Sequence, residues 1–108
     1  MVKYLLIESR DLFEWNEVPR QYELAAGLAQ EGNAVTLFLV QNGVLPARRS
    51  AKSDALIRLN QLGVEILTDD FSLLQRGIGP ALLAPGIRWS GIEVVVDQLA
   101  EGRRAIFH

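Results

Sequence analysis

The sequence has 108 residues and a formal net charge of −2, with acidic and basic side chains interspersed along the chain. That length fits one domain, and a hydrophobic fraction of 49% with 22% charged residues is ordinary for a folded globular protein. The charge balance provides neither a basic surface for nucleic acid nor a polybasic patch for a membrane, so we expect binding to neither. The short basic clusters Arg48-Arg49-Lys52 and Arg103-Arg104 do not change that expectation.

The chain has no cysteine and a single histidine, His108. The lack of cysteine excludes disulfides, thiolate catalysis, persulfide carriage and cysteine-ligated metals for this chain alone. A site with several histidine ligands would need several subunits, so we predict no metal and no cofactor. No uncharged stretch approaches the ~20 residues that a membrane span requires. The first residues, MVKYLLIE, favour a buried strand over a signal peptide, and we expect a cytoplasmic protein.

The first predicted strand is Tyr4–Ile7, a continuous apolar run that ends at Glu8. Such a run is typical of a strand covered on both faces. A polar loop follows, and it carries two large aromatic side chains, Phe13 and Trp15. We expect these to anchor the loop or the next helix rather than to stack on a ligand.

The next elements are a helix and a second strand. Pro19 suits the first turn of a helix, which continues at helical spacing until Gly32. Ala34–Val40 is the most β-like run in the chain. It ends in Asn42-Gly43, a turn signal that often marks a hairpin. We reject the hairpin because Leu45–Lys52 shows no strand alternation.

A second helix and a third strand lead to the candidate site. Ser53 with Asp54 opens the helix, which Gly63 ends, and Val64–Leu67 is the strand. Thr68 and then two acids, Asp69 and Asp70, follow this strand, and a short amphipathic segment then runs to Arg76-Gly77. In open α/β sheets, ligands collect where a strand hands over to a helix.

Two segments in the last third are ambiguous. Ile78–Ile87 is apolar and uncharged but broken by glycine and proline, so it either packs over the core or is buried by a partner. Ile92–Val96 resembles a strand in composition. However, Ser90 and Glu93 form a capping-box pattern, and the apolar spacing predicts a helix over Ser90–Ala100. Arg103–Phe107 is then a terminal strand at a sheet edge.

The order of several motifs resembles a known family. VTLFLV runs into QNGV, a third strand precedes a helix ending in Arg-Gly, and Trp89 precedes SGI, four residues and DQLA. A short closing strand ends in Ile-Phe. This pattern, over nearly the whole chain, is similar to the DsrE/DsrF-like family of small sulfur-relay proteins, which includes the TusD, TusC and TusB subunits. The resemblance implies a three-layer α/β/α sandwich with a five-stranded, mostly parallel sheet, for which we expect flavodoxin-like winding.

The resemblance also implies a chemistry that these residues cannot perform. Active members of the family carry sulfur as a persulfide on a cysteine at the end of the third strand. Counting back from Gly77 places Asp69 at the matching position, with Asp70 next to it. A carboxylate is a hard oxygen nucleophile and cannot hold a transferable sulfane sulfur. The chain therefore resembles the non-catalytic members in this respect.

The candidate site residues have structural and functional interpretations. Asp69 or Asp70 is expected to cap the helix that follows, and Arg76 to bond carbonyls at that helix's end. Alternatively, Glu8, Asp69 and Asp70 form a ligand, cation or hydrolytic site, because a flavodoxin-like strand order would make the first and third strands neighbours. The turn at Asn42-Gly43 would line the rim of that site.

Two classes of function therefore remain. The first is a non-catalytic oligomeric scaffold or recognition subunit, and the second is the small-ligand or cation site. The resemblance implies a homotrimer or homohexamer, with other DsrE-like subunits as further candidate partners. We place Ile78–Ile87 in or beside the subunit interface, with Trp89 as an anchor.

Overall fold

The computed structural model describes residues 1–108 and contains one sheet of five strands, in which every neighbouring pair is parallel. The strands are β1 (Lys3–Glu8), β2 (Ala34–Leu39), β3 (Glu65–Asp69), β4 (Ile87–Ser90) and β5 (Arg104–Phe107). The α-helices are α1 (Val18–Gln30), α2 (Asp54–Gln61), α3 (Asp70–Gln75) and α4 (Glu93–Ala100). Short 3₁₀ segments occupy Gln41–Ala47, Ala51–Ser53 and Pro80–Leu82. The predicted fold class is confirmed.

The strand order differs from the flavodoxin-like winding that we expected. The order across the sheet is β4-β3-β2-β1-β5, so β2 separates β1 from β3. The chain adds one strand at a time from β1 to β4 and then returns to place β5 beside β1. The winding direction therefore reverses between β1 and β5, and this is the topological switch point. Strand patterns encode burial but not the identity of the neighbouring strand, which explains the error.

The helices are divided unequally between the two faces of the sheet. A core cluster of 18 buried residues lies on the face that α1, α2 and α3 cover. The other face has a buried cluster of only four residues, Leu5, Phe38, Leu67 and Val95. Of these four, Val95 comes from α4, which follows β4 and is the only helix on that face. The third layer of the sandwich is therefore a single helix of eight residues.

The prediction of a helix near the end of the chain is confirmed, and the strand alternative over Ile92–Val96 is wrong. The predicted capping box is also wrong. Ser90 belongs to β4, where it pairs with Asp69, and its hydroxyl donates to the carbonyl of Gly91. Because the ladder holds Ser90 extended, the helix begins three residues later, at Glu93, without a side-chain cap.

Four residues of the breaker-rich segment Ile78–Ile87 pack against its own domain, and the other six are exposed. Ile78, Leu83, Ala84 and Ile87 are at most 6% exposed and belong to the larger core cluster. Leu82, in the 3₁₀ turn, remains 48% exposed. The apolar argument for an interface here therefore holds for Leu82 and not for the buried residues. No helix of the chain has both the length and the apolar character needed to cross a membrane.

Candidate functional site

A chain of hydrogen bonds joins the carboxyl ends of β2 and β3. The backbone N–H of Gln41 donates to Ser72 Oγ at 2.8 Å, and the Ser72 hydroxyl donates to Asp69 Oδ2 at 2.6 Å. The same Asp69 oxygen accepts the backbone N–H of Ser72 at 3.0 Å, which makes Asp69 the N-cap of α3. The prediction of a helix cap is confirmed. Gln41 is the only non-glycine residue with positive φ, 54°, a conformation that carries a modest strain.

Arg76 and Asn42 form a second contact between the end of α3 and the segment after β2. Asn42 Oδ1 accepts from Arg76 Nη2 at 2.9 Å and from Arg76 Nε at 3.2 Å. Arg76 Nη1 also donates to the carbonyl oxygen of Ser72 at 3.1 Å, so the predicted contact with a helix-end carbonyl is confirmed. Asn42 and Gly43 lie in the 3₁₀ segment after β2 rather than in a hairpin.

Gly43 lies tightly against the end of β1. A Cβ atom at this position would overlap the backbone carbonyl oxygen of Glu8. That oxygen already accepts the N–H of Val40 at 3.0 Å. The glycine therefore permits a close approach between the turn after β2 and the end of β1. The ends of three adjacent strands are locked together in this way.

The polar groups of this site mostly bond to one another. Asp69 is 6% exposed, and Ser72 is 3% exposed. Asp70, by contrast, is exposed, and it borders a crevice of about 360 Å³ with Phe71, Ile92 and Glu93. No group of three or more His, Asp or Glu side chains has the arrangement of a metal site. The geometry thus supplies a rigid, capped helix start without a free nucleophile.

Glu8 does not meet the acids at the end of β3, as the sequence-based hypothesis required. It lies on β1, and β2 intervenes. Its partner is His108, whose Nδ1 lies 2.8 Å and 2.9 Å from the two carboxylate oxygens. Glu8 is 0% exposed, and the backbone N–H of Arg10 donates to its Oε2 at 3.1 Å. Glu8 is therefore a buried acid with specific partners at the switch point.

Sequence reasoning missed the pairing of Glu8 with His108. The two residues are 100 positions apart, and they meet because β5 lies beside β1. Two backbone hydrogen bonds reinforce this contact, from Ser9 N–H to the His108 carbonyl at 3.3 Å and from His108 N–H to the Ile7 carbonyl at 2.8 Å. A carboxylate bonded to Nδ1 orients the imidazole, and Nε2 is the ring nitrogen that points away from Glu8.

Tyr22 is the other unusual buried group near Glu8. Burial, followed by the charges of Glu8 and Asp11, raises the pKa of the Tyr22 phenol well above its ordinary value of 10.0. Its hydroxyl is buried and has no hydrogen-bond partner. The Tyr22 ring lines an open groove of about 500 Å³ between α1 and α2, together with Leu12 and Leu59.

The aromatic residues of the loop after β1 contact cations of the chain itself. The guanidinium of Arg10 lies 4.3 Å from the ring centre of Trp15, and the ammonium of Lys52 lies 4.5 Å from that of Phe13. Both rings remain about half exposed. These contacts connect the loop to itself and to the segment before α2, as an anchoring role requires.

Comparisons with known proteins give similarity in structure only. No protein-family profile matches the chain, and no curated protein matches it in sequence. A protein of unknown function, MTH1491 from Methanobacterium thermoautotrophicum, superposes with a TM-score of 0.85 at 20% identity, over 100% of both chains. The ychN protein from E. coli gives 0.86 at 17% identity, also over 100% of both chains.

A third solved structure extends the same similarity. BT1422 from Bacteroides thetaiotaomicron, described as a conserved protein of unknown function, has a TM-score of 0.83 at 15% identity. The match covers 98% of this chain and 94% of that one. At these identities the neighbours establish the fold that the chain shares with them, and the fold alone.

Proposed function

We propose that this protein is a DsrE-like subunit without the sulfur-carrying cysteine, acting as a non-catalytic oligomeric scaffold or recognition subunit. The observation that carries this proposal is the burial and helix-capping role of Asp69. At the position that matches the family's cysteine, Asp69 is buried and caps α3 through Ser72. A side chain held in this way stabilises the fold and cannot carry sulfane sulfur.

The exposed apolar side chains support an assembled state. Several large apolar residues remain at least 54% exposed; on the α4 face and beside α4 they are Phe71, Ile92, Val96 and Phe107. Trp89, 56% exposed, lies on the opposite face of the sheet, two residues after the buried Ile87. Clusters of exposed apolar residues on a small domain are typical of protein interfaces. We therefore propose a homotrimer or homohexamer, with other DsrE-like subunits as candidate partners.

The alternative function, a ligand or cation site built on Glu8, Asp69 and Asp70, has less support. It needs the ends of β1 and β3 to meet, but β2 separates them. Two strand spacings amount to about 10 Å, and Glu8 is bonded to His108. The Asp69 carboxylate already accepts a hydrogen bond from the Ser72 hydroxyl. The scaffold is therefore the function that we put forward.

A labelling experiment tests the chemical part of the proposal. The purified chain is incubated with a cysteine desulfurase and ³⁵S-labelled cysteine, and we expect no reducible label on the wild type. The matched variant Asp69→Cys places a thiol where the family carries one, and we expect this variant to accept label.

Each arm of this experiment has an outcome that contradicts us. Reducible label on the wild-type chain would show that it carries sulfur without a thiol, against the proposal. An unlabelled Asp69→Cys variant, with its thiol shown to react with iodoacetamide, would contradict the match between Asp69 and the family's cysteine.

A further inference from the structure

Helix α4 exposes apolar residues on a side that no part of the chain covers. Ile92, Val96 and Leu99 are 54%, 63% and 47% exposed, and their spacing places them along one side of the helical segment. The side that faces the sheet includes Gln98, which is 6% exposed and whose Oε1 has no hydrogen-bond partner. An amphipathic helix of an isolated domain would bury the apolar residues and expose the amide.

The same surface continues onto the edge strand. Phe107 pairs in register with Ile7, which packs against the cluster under α4, so Phe107 lies on the α4 face of the sheet. It is 71% exposed. We call the residues Ile92, Val96, Leu99 and Phe107, with the acids of the helix, the α4 surface.

Two acids of the α4 surface, Glu93 and Asp97, have no partners within the chain. Glu93 and Asp97 are exposed and form no ion pair, whereas Glu101 pairs with Arg103 at 3.3 Å. Glu93 and Asp97 are four residues apart, so they lie along one side of the helix, beside the apolar row. The α4 surface is therefore an apolar row bordered by unpaired negative charge.

A second surface has the opposite charge and its own exposed apolar groups. Arg48 and Arg49 are exposed and form no ion pair. The backbone N–H of Arg49 donates to the carbonyl of Leu82 at 2.7 Å, which holds these arginines beside the exposed Leu82. Leu45, 38% exposed, lies in the preceding 3₁₀ segment. We call this set the basic loop surface.

We propose that the basic loop surface of a second copy of this chain docks on the α4 surface. The opposite unpaired charges favour this pairing, and the exposed leucines beside the arginines supply apolar contact to the row on α4. The inference rests on the proposed oligomeric function and names its interface. The segments behind the basic loop surface bury Val44, Ala47 and Leu83 in the larger core cluster, on the opposite face of the sheet from α4.

A contact between two different surfaces has a consequence for the assembly. Such a contact is heterologous, and each copy uses its α4 surface for one neighbour and its basic loop surface for another. Heterologous contacts close into rings when the rotation between copies permits it. The proposal therefore favours a ring over a two-fold dimer.

Charge reversal tests the pairing. We compare the wild type with Glu93→Lys/Asp97→Lys, with Arg48→Glu/Arg49→Glu and with the quadruple variant, measuring mass by light scattering across protein concentration. Like charges across an interface are repulsive, so each double variant should raise the dissociation constant by about tenfold or more. The quadruple variant restores opposite charges at every contact and should recover most of the lost affinity.

A control variant and a folding measurement keep the result interpretable. Glu14→Lys/Glu31→Lys makes the same change in net charge as Glu93→Lys/Asp97→Lys, at exposed positions outside both surfaces, and should keep the wild-type mass. Circular dichroism with thermal melting identifies any variant that has unfolded; in that event the single changes Asp97→Lys and Arg49→Glu replace the doubles.

The possible outcomes separate this inference from the proposed function. A monomeric wild type would overturn both the interface and the oligomeric scaffold. An oligomeric wild type whose double variants keep their mass, or whose quadruple variant stays dissociated, would overturn the pairing alone. Sensitivity to the α4 variant without sensitivity to the arginine variant would also overturn the pairing, since the second copy would then contact α4 through another surface.

Discussion

Replacing Asp69 by alanine should destabilise the protein by about 2 to 3 kcal/mol. Losing a side-chain N-cap costs about 1 kcal/mol. The change also removes the acceptor of the Ser72 hydroxyl, a bond of 2.6 Å in a residue that is 3% exposed. A buried hydroxyl without its acceptor adds about 1 to 2 kcal/mol. Since domains of this size have only about 5 to 15 kcal/mol of stability, the loss is easily measured.

Urea unfolding at pH 7 and at one fixed protein concentration measures this change in the free energy of unfolding. Asp69→Asn keeps an oxygen acceptor, so it should lose less than about 1 kcal/mol, because asparagine is also a good N-cap. Asp70→Ala is the matched control at the neighbouring exposed acid, and its effect should stay near 0.5 kcal/mol. The reasoning fails if the free energy of unfolding of Asp69→Ala is within about 0.5 kcal/mol of the wild-type value, or if Asp69→Asn loses as much stability as Asp69→Ala.

Two further substitutions test buried contacts. The raised pKa of Tyr22 means that the unfolded chain releases this proton first as pH increases. The stabilising effect of the buried neutral phenol should thus be complete below pH ~10 and lost above it, by up to about 1.4 kcal/mol per pH unit. Tyr22→Phe should remove this part of the alkaline slope in unfolding titrations; an identical slope in both proteins would contradict the cause. Gly43→Ala should lower the free energy of unfolding in urea by about 2 kcal/mol or more, because its Cβ would overlap the Glu8 carbonyl oxygen. Gly27→Ala adds a Cβ in open space on α1, so it should raise the free energy of unfolding by about 0.5 to 1 kcal/mol. Equal effects at both glycines would refute the overlap.

The local elements of this fold follow from residues that are close together along the chain. Apolar runs separated by helical patterns predicted an α/β protein with parallel strands, and the helix before the last strand followed from its periodicity against its strand-like composition. A helix cap at Asp69 or Asp70 was predicted because an acid between a strand and a helix satisfies backbone N–H groups a few residues away, and Asp69 is the residue that does so. These features depend on neighbours along the chain, so they can be read without knowing the fold.

Which distant elements meet depends on the three-dimensional packing of the strands and helices. The position of β5 beside β1 brings His108 to Glu8 and moves the switch point away from Asp69. The sequence also did not indicate which side of α4 faces the sheet. The apolar spacing predicted only the helix itself, and in the structure Ile92 and Val96 are exposed while Gln98 is buried. Periodicity fixes which residues share a side of a helix, but the surroundings decide which side is covered, and the apolar row on α4 is the one left for a partner.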